Sequence, residues 1–359
     1  MKIFGIFRGF PGLGRVVAGA GILKELSLRG HDVRAYSYLQ GKNILDEYKL
    51  RTIISEQPDE RHIMIIGLNP ISRESGKLID EILKENPDLV IVDGEPLLIS
   101  TLSMVFPREK ILSLLNPSDI ENKSLPLSTI KFYRSHYLSA AHAFVHGVSI
   151  ENYSKIAKEY SCQIQSVQTI LRPEILNLSK INRGDYVVGI LGGGSKMVSK
   201  NFFNSTISMA KNIISLAHYL TDKNFIIYCN DSEVYTTLKK FLPKNLELVG
   251  DYTPPEIIYS KADVVLCRAG RNTVSELLFL KIPALLYSTA GDFRSSEQDK
   301  NIEDVCTLSQ GLIQKCSVGT TAENLAEQLE QVLNVSGANF NFSAGNEEML
   351  KYIDKLQRN

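Results

Sequence analysis

Short apolar runs alternate with longer amphipathic stretches along most of the chain. Residues 2–7 (KIFGIF) and 89–96 (LVIVDGEP) both contain runs of apolar side chains, as expected for strands. Residues 16–29 instead repeat apolar side chains at helical spacing. The strand candidates are 2–7, 62–68, 89–96, 110–115, 143–148, 165–171, 186–191, 225–229, 246–250, 264–266 and 283–287. Strands that alternate with helices in this way predict an α/β fold built on parallel sheets.

The chain falls into two halves with the same plan. Each half opens with a strand, continues through a glycine-rich loop and enters a helix. The Arg-Pro pair at 172–173 marks the expected boundary, because proline ends regular structure and suits a linker. We therefore expect two Rossmann-like domains that face a cleft, 1–171 and 172–344, followed by a last helix near 347–356.

The composition is that of a globular protein, with 43% hydrophobic and 22% charged residues. Lysine plus arginine and aspartate plus glutamate both number 40, which does not indicate the basic face of a nucleic-acid-binding protein. The five scattered cysteines and the six histidines form no CxxC, CxxH or HExxH pattern, so neither a disulfide framework nor a metal site is predicted. The absence of a signal peptide and of a bilayer-spanning apolar run predicts a cytoplasmic protein.

The second glycine-rich loop, Gly192-Gly193-Gly194-Ser195, stands between a strand and a helix. Such a loop offers open backbone N–H groups to a phosphate, aided by the helix N-terminus. A flexible turn explains the same residues equally well. The loop lacks the Gly-Lys-Ser/Thr ending of a Walker motif, and the first loop, 8–15, is not GxGxxG. A dinucleotide-dependent oxidoreductase is therefore disfavoured.

Residues 261–301 combine a strand, a turn at Gly270, a helix, a second strand and a polar segment. We expect the helix to start at Thr273 and the polar segment to be a loop. Thr273 and Glu276 then have the T-x-x-E spacing of a capping box, which explains both residues without a ligand. Alternatively, the Glu276 carboxylate accepts hydrogen bonds from two ribose hydroxyls. Judged on these residues alone, the cap is the favoured interpretation.

Two further pairs of polar side chains follow strands. Asp93 and Glu95 stand at the carboxyl end of strand 89–96, where open α/β sheets place their ligands. Glu297 and Gln298 lie in the polar segment, and an acid beside an amide suits the recognition of sugar hydroxyls. Exposed loop residues of this type are more often simply solvated.

The residues resemble the GT-B glycosyltransferases, in particular the family of the enzyme that adds N-acetylglucosamine to lipid I in peptidoglycan synthesis. The most specific part is ADVVLCRAGRNTVSELLFLKIPALLY, residues 262–287, followed by EQDKN at 297–301. GGGS at 192–195 is similar to the family's diphosphate loop, and RGFPGLGRVVAGAGILKELSLRGHDV at 8–33 to its N-terminal glycine loop and helix. LVIVDGEP at 89–96 resembles a strand end in related glycosyltransferase-like proteins.

This resemblance implies a GT-B fold in which residues 1–171 bind the acceptor, 172–344 bind the donor and 345–359 pack back on the first domain. It implies a nucleotide diphosphate sugar as donor, UDP-linked, with no metal and no further cofactor. In that family the helix glutamate binds the ribose, the glycine loop holds the diphosphate, and the acid and amide bind the sugar. The implied donor-site residues are Arg172, Gly193, Gly194, Ser195, Val249, Tyr252, Gly270, Arg271, Asn272, Thr273, Glu276, Glu297 and Gln298.

The chain departs from the family at one position that matters. Many relatives carry histidine after the N-terminal glycines, whereas this chain has Arg15. Arginine cannot act as a general base near neutral pH, yet inverting transfer needs a group to take the acceptor proton. The candidates are Asp93 and Glu95, with His136 and His146 behind them. A contact with phosphate is an alternative role for Arg15.

We therefore expect transfer of a hexose or N-acetylhexosamine to a small-molecule, glycan or lipid-linked acceptor. Residues 128–138 (STIKFYRSHYL) are aromatic and basic, which suits a peripheral contact with the inner face of the membrane, although a short solvated helix is favoured. Two alternatives stay open: a nucleotide-sugar hydrolase or 2-epimerase of the same fold, and a non-catalytic nucleotide-sugar-binding subunit.

Overall fold

The protein divides into two compact units, Met1–Pro173 with Ala344–Asn359, and Glu174–Ser343. Each unit is an α/β domain built on a parallel sheet, which confirms the predicted fold class. The computed structural model describes residues 1–10, 12–57, 73–178, 184–192, 199–288, 295–335 and 339–357.

Part of the prediction falls outside these ranges. The strand expected at 62–68 and the loop residues Gly193, Gly194 and Ser195 are not among the described residues.

The N-terminal unit has a seven-stranded sheet in the order β3-β2-β1-β4-β5-β6-β7. The strands are β1 Lys2–Phe7, β2 Asp32–Tyr36, β3 Arg51–Thr52, β4 Leu89–Asp93, β5 Ile111–Leu115, β6 His142–Gly147 and β7 Gln163–Gln168. The helices are α1 Gly14–Leu28, α2 Gln40–Glu47, α3 Arg73–Glu85, α4 Pro96–Val105, α5 Pro117–Ile120, α6 Leu127–Tyr137 and α7 Ser154–Tyr160. The strand order reverses between β1 and β4, and α/β sheets bind ligands beyond the carboxyl ends of the strands at such a switch point.

Alternate residues of the central strands enter two different cores. Phe4 and Ile6 of β1 pack in one apolar cluster, whereas Ile3 and Phe7 pack in another. Successive side chains of a strand point to opposite faces, so both faces of this sheet are covered. Burial on both faces explains why the strands are continuous apolar runs in the sequence.

The C-terminal unit has a six-stranded sheet in the order β10-β9-β8-β11-β12-β13. The strands are β8 Tyr186–Ile190, β9 Asn224–Tyr228, β10 Leu246–Val249, β11 Ala262–Arg268, β12 Ala284–Tyr287 and β13 Ile313–Cys316. The helices are α8 Pro173–Leu176 at the boundary, α9 Lys200–Tyr219, α10 Ser232–Leu238, α11 Pro255–Lys261, α12 Arg271–Leu280, α13 Ser295–Leu308 and α14 Ala322–Leu333. The Thr321 hydroxyl caps α14 by accepting a hydrogen bond from Asn324 N.

The last helix, α15 Asn346–Leu356, packs into the core of the N-terminal unit. Its buried side chains Met349, Leu350 and Ile353 join the same apolar cluster as Ile3 and Phe7. Within the described ranges, no helix has both the length and the apolar character needed to cross a bilayer.

Candidate functional site

Glu276 lies in the second turn of α12, the helix that follows β11. β11 runs between β8 and β12 in the C-terminal sheet. The helix begins at Arg271, and Gly270 is its N-cap, with extended backbone and no side-chain capping bond. The predicted start at Thr273 and the predicted capping box are therefore wrong, because Thr273 is already inside the helix. The chain turns at Gly270, whose N–H donates to Arg268 O at 2.8 Å.

The Glu276 carboxylate is held by a tyrosine that the sequence reasoning missed. Tyr259 Oη donates a hydrogen bond of 2.6 Å to Glu276 Oε2. The two residues are 2% and 1% exposed. A charge-assisted hydrogen bond in a buried site holds the carboxylate in one orientation. The only sequence signal for Tyr259 is an aromatic residue in the short helix α11, immediately before the central strand.

Glu297 and Gln298 stand in the first turn of a helix, not in a loop, so that part of the prediction is wrong. Gln298, Ile302 and Val305 are the buried residues of α13, and their spacing of four and three was the missed helical signal. Glu297 is half-buried. The Asn301 side chain donates to Ala269 O at 2.9 Å, which ties α13 to the turn before α12.

The other predicted donor-site residues lie on several different elements. Val249 ends β10, and Tyr252 beyond it is 55% exposed. Arg271 is 7% exposed, and its Nε donates to Asn272 Oδ1 at 3.4 Å. Arg172 is half-buried and belongs to the N-terminal unit. The contacts of all these residues with a donor stay predictions.

Arg268 is a second residue that the sequence reasoning passed over. It ends β11 and is 8% exposed. Its Nη2 donates to Phe202 O at 3.1 Å and to Thr206 Oγ1 at 2.6 Å. Its guanidinium lies 4.0 Å from the centre of the Phe202 ring. Arg268 thus anchors the first turns of α9, the helix that follows the glycine loop. The sequence pattern that could have identified it is a cation at the end of an apolar strand.

In the N-terminal unit, Arg15 of α1 bridges two carboxylates. Its Nη1 is ion-paired with Asp93 Oδ1, and its Nη2 lies 2.6 Å from Asp119 Oδ1. Asp93 is the last residue of β4 and is fully buried, and Asp119 lies on α5. Asp119 is itself oriented by the N–H of Asn116, which donates to Oδ2 at 2.8 Å. Asp119 was not among the predicted site residues.

The charges of this bridge stabilise one another. Burial alone would lower the pKa of Arg15, but Asp119 and Asp93 raise it above its ordinary value. Burial alone would likewise raise the pKa of Asp119, but the Arg15 guanidinium lowers it below its ordinary value. Arg15 therefore stays charged and acts as a partner for two acids.

Glu95 has a different environment. Tyr38 Oη, two residues beyond β2, donates to Glu95 Oε1 at 2.6 Å. Burial raises the pKa of Glu95 above its ordinary value, against the lowering effects of Tyr38, Arg8 and Arg15. Burial and the nearby Glu95 also raise the pKa of Tyr38, which keeps its proton for this bond.

The turn between the two acids needs glycine. Gly94 has φ +86°, and a Cβ there would stand 2.5 Å from Arg15 Cδ and 2.7 Å from Arg8 Cβ. The motif Asp93-Gly94-Glu95 therefore sends its first acid inward to Arg15 and its second toward Tyr38.

His136 and His146 were the further candidates for the general base. His146 is fully buried, and its Nδ1 accepts a hydrogen bond of 3.1 Å from Ile170 N. His136 Nδ1 lies 2.9 Å from Ser100 Oγ, and burial lowers its pKa. Among the described side chains, no three His, Cys, Asp or Glu residues are grouped as a metal would require.

Residues 187–356 match the family model for the glycosyltransferase family 28 C-terminal domain. The match begins in β8, covers the rest of the C-terminal unit with Glu276, Glu297 and Gln298, and continues to the end of α15. No curated protein matches the chain in sequence.

Several solved structures are similar over nearly the whole chain. The glycotransferase of kitacinnamycin has a TM-score of 0.65 at 15% identity, covering 99% of this chain and 95% of that one. The UDP-GlcNAc 2-epimerase from Neisseria meningitidis bound to UDP-GlcNAc has a TM-score of 0.66 at 13% identity, covering 100% of both chains. MurG of Acinetobacter baumannii has a TM-score of 0.54 at 14% identity, covering 99% of this chain and 100% of that one. These similarities show that the protein has the GT-B fold.

Proposed function

We propose that the protein is a glycosyltransferase that moves a hexose or N-acetylhexosamine from a UDP-linked sugar to a hydroxyl acceptor. The observation that carries the proposal is the Glu276 carboxylate. It is buried, held by Tyr259, and placed on the helix after a central strand of the unit that matches the family 28 C-terminal domain. The acceptor belongs to a small molecule, a glycan or a lipid-linked saccharide and binds the N-terminal unit.

The proposed roles follow from the chemistry of each group. Glu276 accepts hydrogen bonds from the ribose hydroxyls, and Glu297 with Gln298 binds the sugar. Backbone N–H groups of the glycine loop and the helix N-termini stabilise the leaving diphosphate, without a metal ion. The acceptor oxygen attacks the anomeric carbon with inversion and gives its proton to a basic side chain. The bond from that carbon to the diphosphate breaks, and the nucleotide leaves with the electron pair.

Donor binding can be tested before the acceptor is known. A thermal-shift screen of UDP, dTDP, GDP and their sugars identifies the donor, and titration calorimetry then compares wild type with Glu276→Gln. The substitution keeps the side chain's shape but removes its charge, so UDP affinity should fall about tenfold or more. The matched control is Glu330→Gln, an exposed acid on α14 of the same unit. Unchanged UDP affinity in Glu276→Gln would contradict the donor site.

A second candidate is 2-epimerisation or hydrolysis of the nucleotide sugar. It is favoured by the similarity to a 2-epimerase that binds UDP-GlcNAc. NMR of the enzyme with UDP-GlcNAc alone separates the candidates. A C2 epimer, or rapid stoichiometric release of free sugar, would contradict transfer.

The third candidate, a non-catalytic nucleotide-sugar-binding subunit, would differ from both enzymes in its reaction with donors. Such a protein binds UDP in calorimetry but releases no UDP from any donor with any acceptor.

A further inference from the structure

We propose that the Glu95 carboxylate is the general base that takes the acceptor's proton, and that Tyr38 is its positioning residue. The inference rests on the transferase function proposed above. In the reaction, the acceptor oxygen bonds to the anomeric carbon while its proton moves to a Glu95 oxygen. The bond from that carbon to the diphosphate breaks, and the electron pair leaves with the nucleotide.

Glu95 stands where a ligand of this fold class would bind. It lies two residues beyond the end of β4, and β4 neighbours β1 at the point where the strand order reverses. Tyr38 comes from the end of β2, on the other side of β1. Strands on both sides of β1 therefore hold one half-buried carboxylate, through the hydrogen bond of 2.6 Å.

Asp93, the neighbouring acid, is unsuited to the same role. It is fully buried, so an acceptor hydroxyl cannot reach it without displacing protein atoms. It is also ion-paired with Arg15, and taking up a proton would remove the negative charge that pairs with that guanidinium. A base must be reachable and must gain a proton at little cost, and Glu95 meets both conditions better.

Arg15 is already ion-paired with two acids. Its guanidinium joins Asp93 and Asp119, and its Cδ fills the space beside Gly94. The left-handed backbone of Gly94 then directs Glu95 away from Asp93. Arg15 therefore packs against the turn that carries Glu95.

The charges around Glu95 agree with this role. Burial raises its pKa, and Asp93 adds to the rise. Tyr38, Arg8 and Arg15 act in the opposite direction, and the net shift is upward. A carboxylate with a raised pKa is a stronger base.

The test uses Glu95→Gln, with Glu121→Gln as matched control. Glu121 is an exposed acid of the same unit. UDP-GlcNAc, or the donor that the thermal-shift screen selects, is supplied with one of two acceptors. Octyl β-glucoside must lose a hydroxyl proton, whereas azide attacks without one. Transfer to octyl glucoside should fall about 10²–10⁴-fold in Glu95→Gln. Transfer to azide, UDP affinity and melting temperature should stay near wild type, and Glu121→Gln should resemble wild type throughout.

Tyr38→Phe tests the positioning residue. The Tyr38 hydroxyl lowers the pKa of Glu95, so its removal should move the acid limb of the kcat/KM profile to higher pH. A purely structural tyrosine would lower the melting temperature and leave that limb in place.

Three outcomes would overturn the assignment. Wild-type transfer to octyl glucoside by Glu95→Gln means that another group is the base. An equal loss with azide and octyl glucoside means that Glu95 supports the fold rather than the proton transfer. If the wild-type protein releases no UDP with either acceptor, or epimerises UDP-GlcNAc, the proposed function fails first and the base assignment falls with it.

Discussion

Arg15 is the residue whose environment differs most from what its position suggested. The resemblance in sequence put Arg15 where many similar proteins carry histidine, whereas its side chain is 6% exposed and pairs with two carboxylates. Removing one member of a buried ion network leaves the other charges without compensation. We therefore expect Arg15 to contribute to stability and to the shape of the turn at Gly94.

Arg15→Met should destabilise the N-terminal unit by about 3–5 kcal/mol, because the buried Asp93 and the largely buried Asp119 would lose their cation. The control is Arg29→Met at the end of the same helix. Arg29 pairs with Glu347 and Asp354 on the surface, where ion pairs contribute about 0–1 kcal/mol. Urea unfolding measures both variants, and equal losses would contradict the buried network.

The same bridge makes stability depend on pH with a definite sign. The folded-state pKa of Asp119 lies below its ordinary value of about 3.9, despite burial, because of Arg15. This contribution is fully present above the unfolded pKa and is lost as the pH falls through the lower folded pKa. In Arg15→Met the buried acids should instead favour their neutral forms, so acidification from about pH 7 to 5 should stabilise the variant. A variant that loses stability over this interval, as the carboxylates begin to protonate, would refute that reversal.

A substitution of Tyr259 tests the proposed donor site while leaving Glu276 itself unchanged. Tyr259→Phe removes the hydrogen bond to Oε2 and frees the carboxylate to turn. UDP affinity should fall about tenfold, the equivalent of one charged hydrogen bond.

The ligand provides the control for Tyr259→Phe. If Tyr259 acts through Glu276 on the ribose, the substitution should reduce the affinity for 2′-deoxy-UDP less than the affinity for UDP. The reason is that the effect of Tyr259 is then coupled to the ribose hydroxyl that the deoxy ligand lacks. Calorimetry that finds the same loss with both nucleotides would indicate a general disturbance of the fold.

At the scale of elements, α15 completes the core of the N-terminal unit. Asn346 connects it to the chain before the boundary: its Oδ1 accepts from Leu171 N and its Nδ2 donates to Leu171 O, both at 2.9 Å. Asn346 is 3% exposed, so loss of its amide would leave buried backbone groups unsatisfied.

Asn346→Ala should therefore lower the free energy of unfolding by about 2–4 kcal/mol, the cost of two unsatisfied buried groups. The matched control is Asn43→Ala, at an exposed position of α2 in the same unit, which should change stability by about 0.5 kcal/mol or less. Similar denaturation midpoints for the two variants would show that the Asn346 contacts contribute little.

The helix starts show where element prediction succeeds and fails. Thr321 caps α14 and stands directly before an amphipathic pattern, so its residue type and the following pattern agree. Thr273 has the same residue type and the right spacing to Glu276, but the turn at Gly270 starts the helix two residues earlier. At the beginning of α13, polar residues hid a helix whose buried stripe starts only at Gln298. Local pattern finds long elements well and their ends poorly, because ends depend on how the chain enters them.

At the scale of the molecule, each unit has its own sheet and its own core, so ligand effects should be unequal. With UDP at about 100 times its dissociation constant, the unit that binds it gains about 2.7 kcal/mol. Hydrogen exchange should slow most in residues 262–280, β11 and α12, and little in residues 89–105, β4 and α4. Mass spectrometry of the two segments checks this, and equal protection would argue against a donor site confined to the C-terminal unit.

The fold class and most element positions followed from the sequence by itself. Apolar runs separated by amphipathic stretches are a local pattern, and burial on both faces of a parallel sheet imposes it on each strand separately. The position of Glu276 after a glycine turn is local for the same reason. These features are encoded within about 30 residues, the length of one βαβ unit.

Only the tertiary structure decided which side chains meet. Arg15 reaches Asp93 and Asp119 across 78 and 104 positions of sequence, and Tyr38 reaches Glu95 across 57. Residues so far apart in sequence meet because the sheet places β2 and β4 on either side of β1, with β5 next to β4. Strand order is set by how whole elements pack, so no spacing in the sequence separates the acid that pairs with Arg15 from the acid that Tyr38 holds.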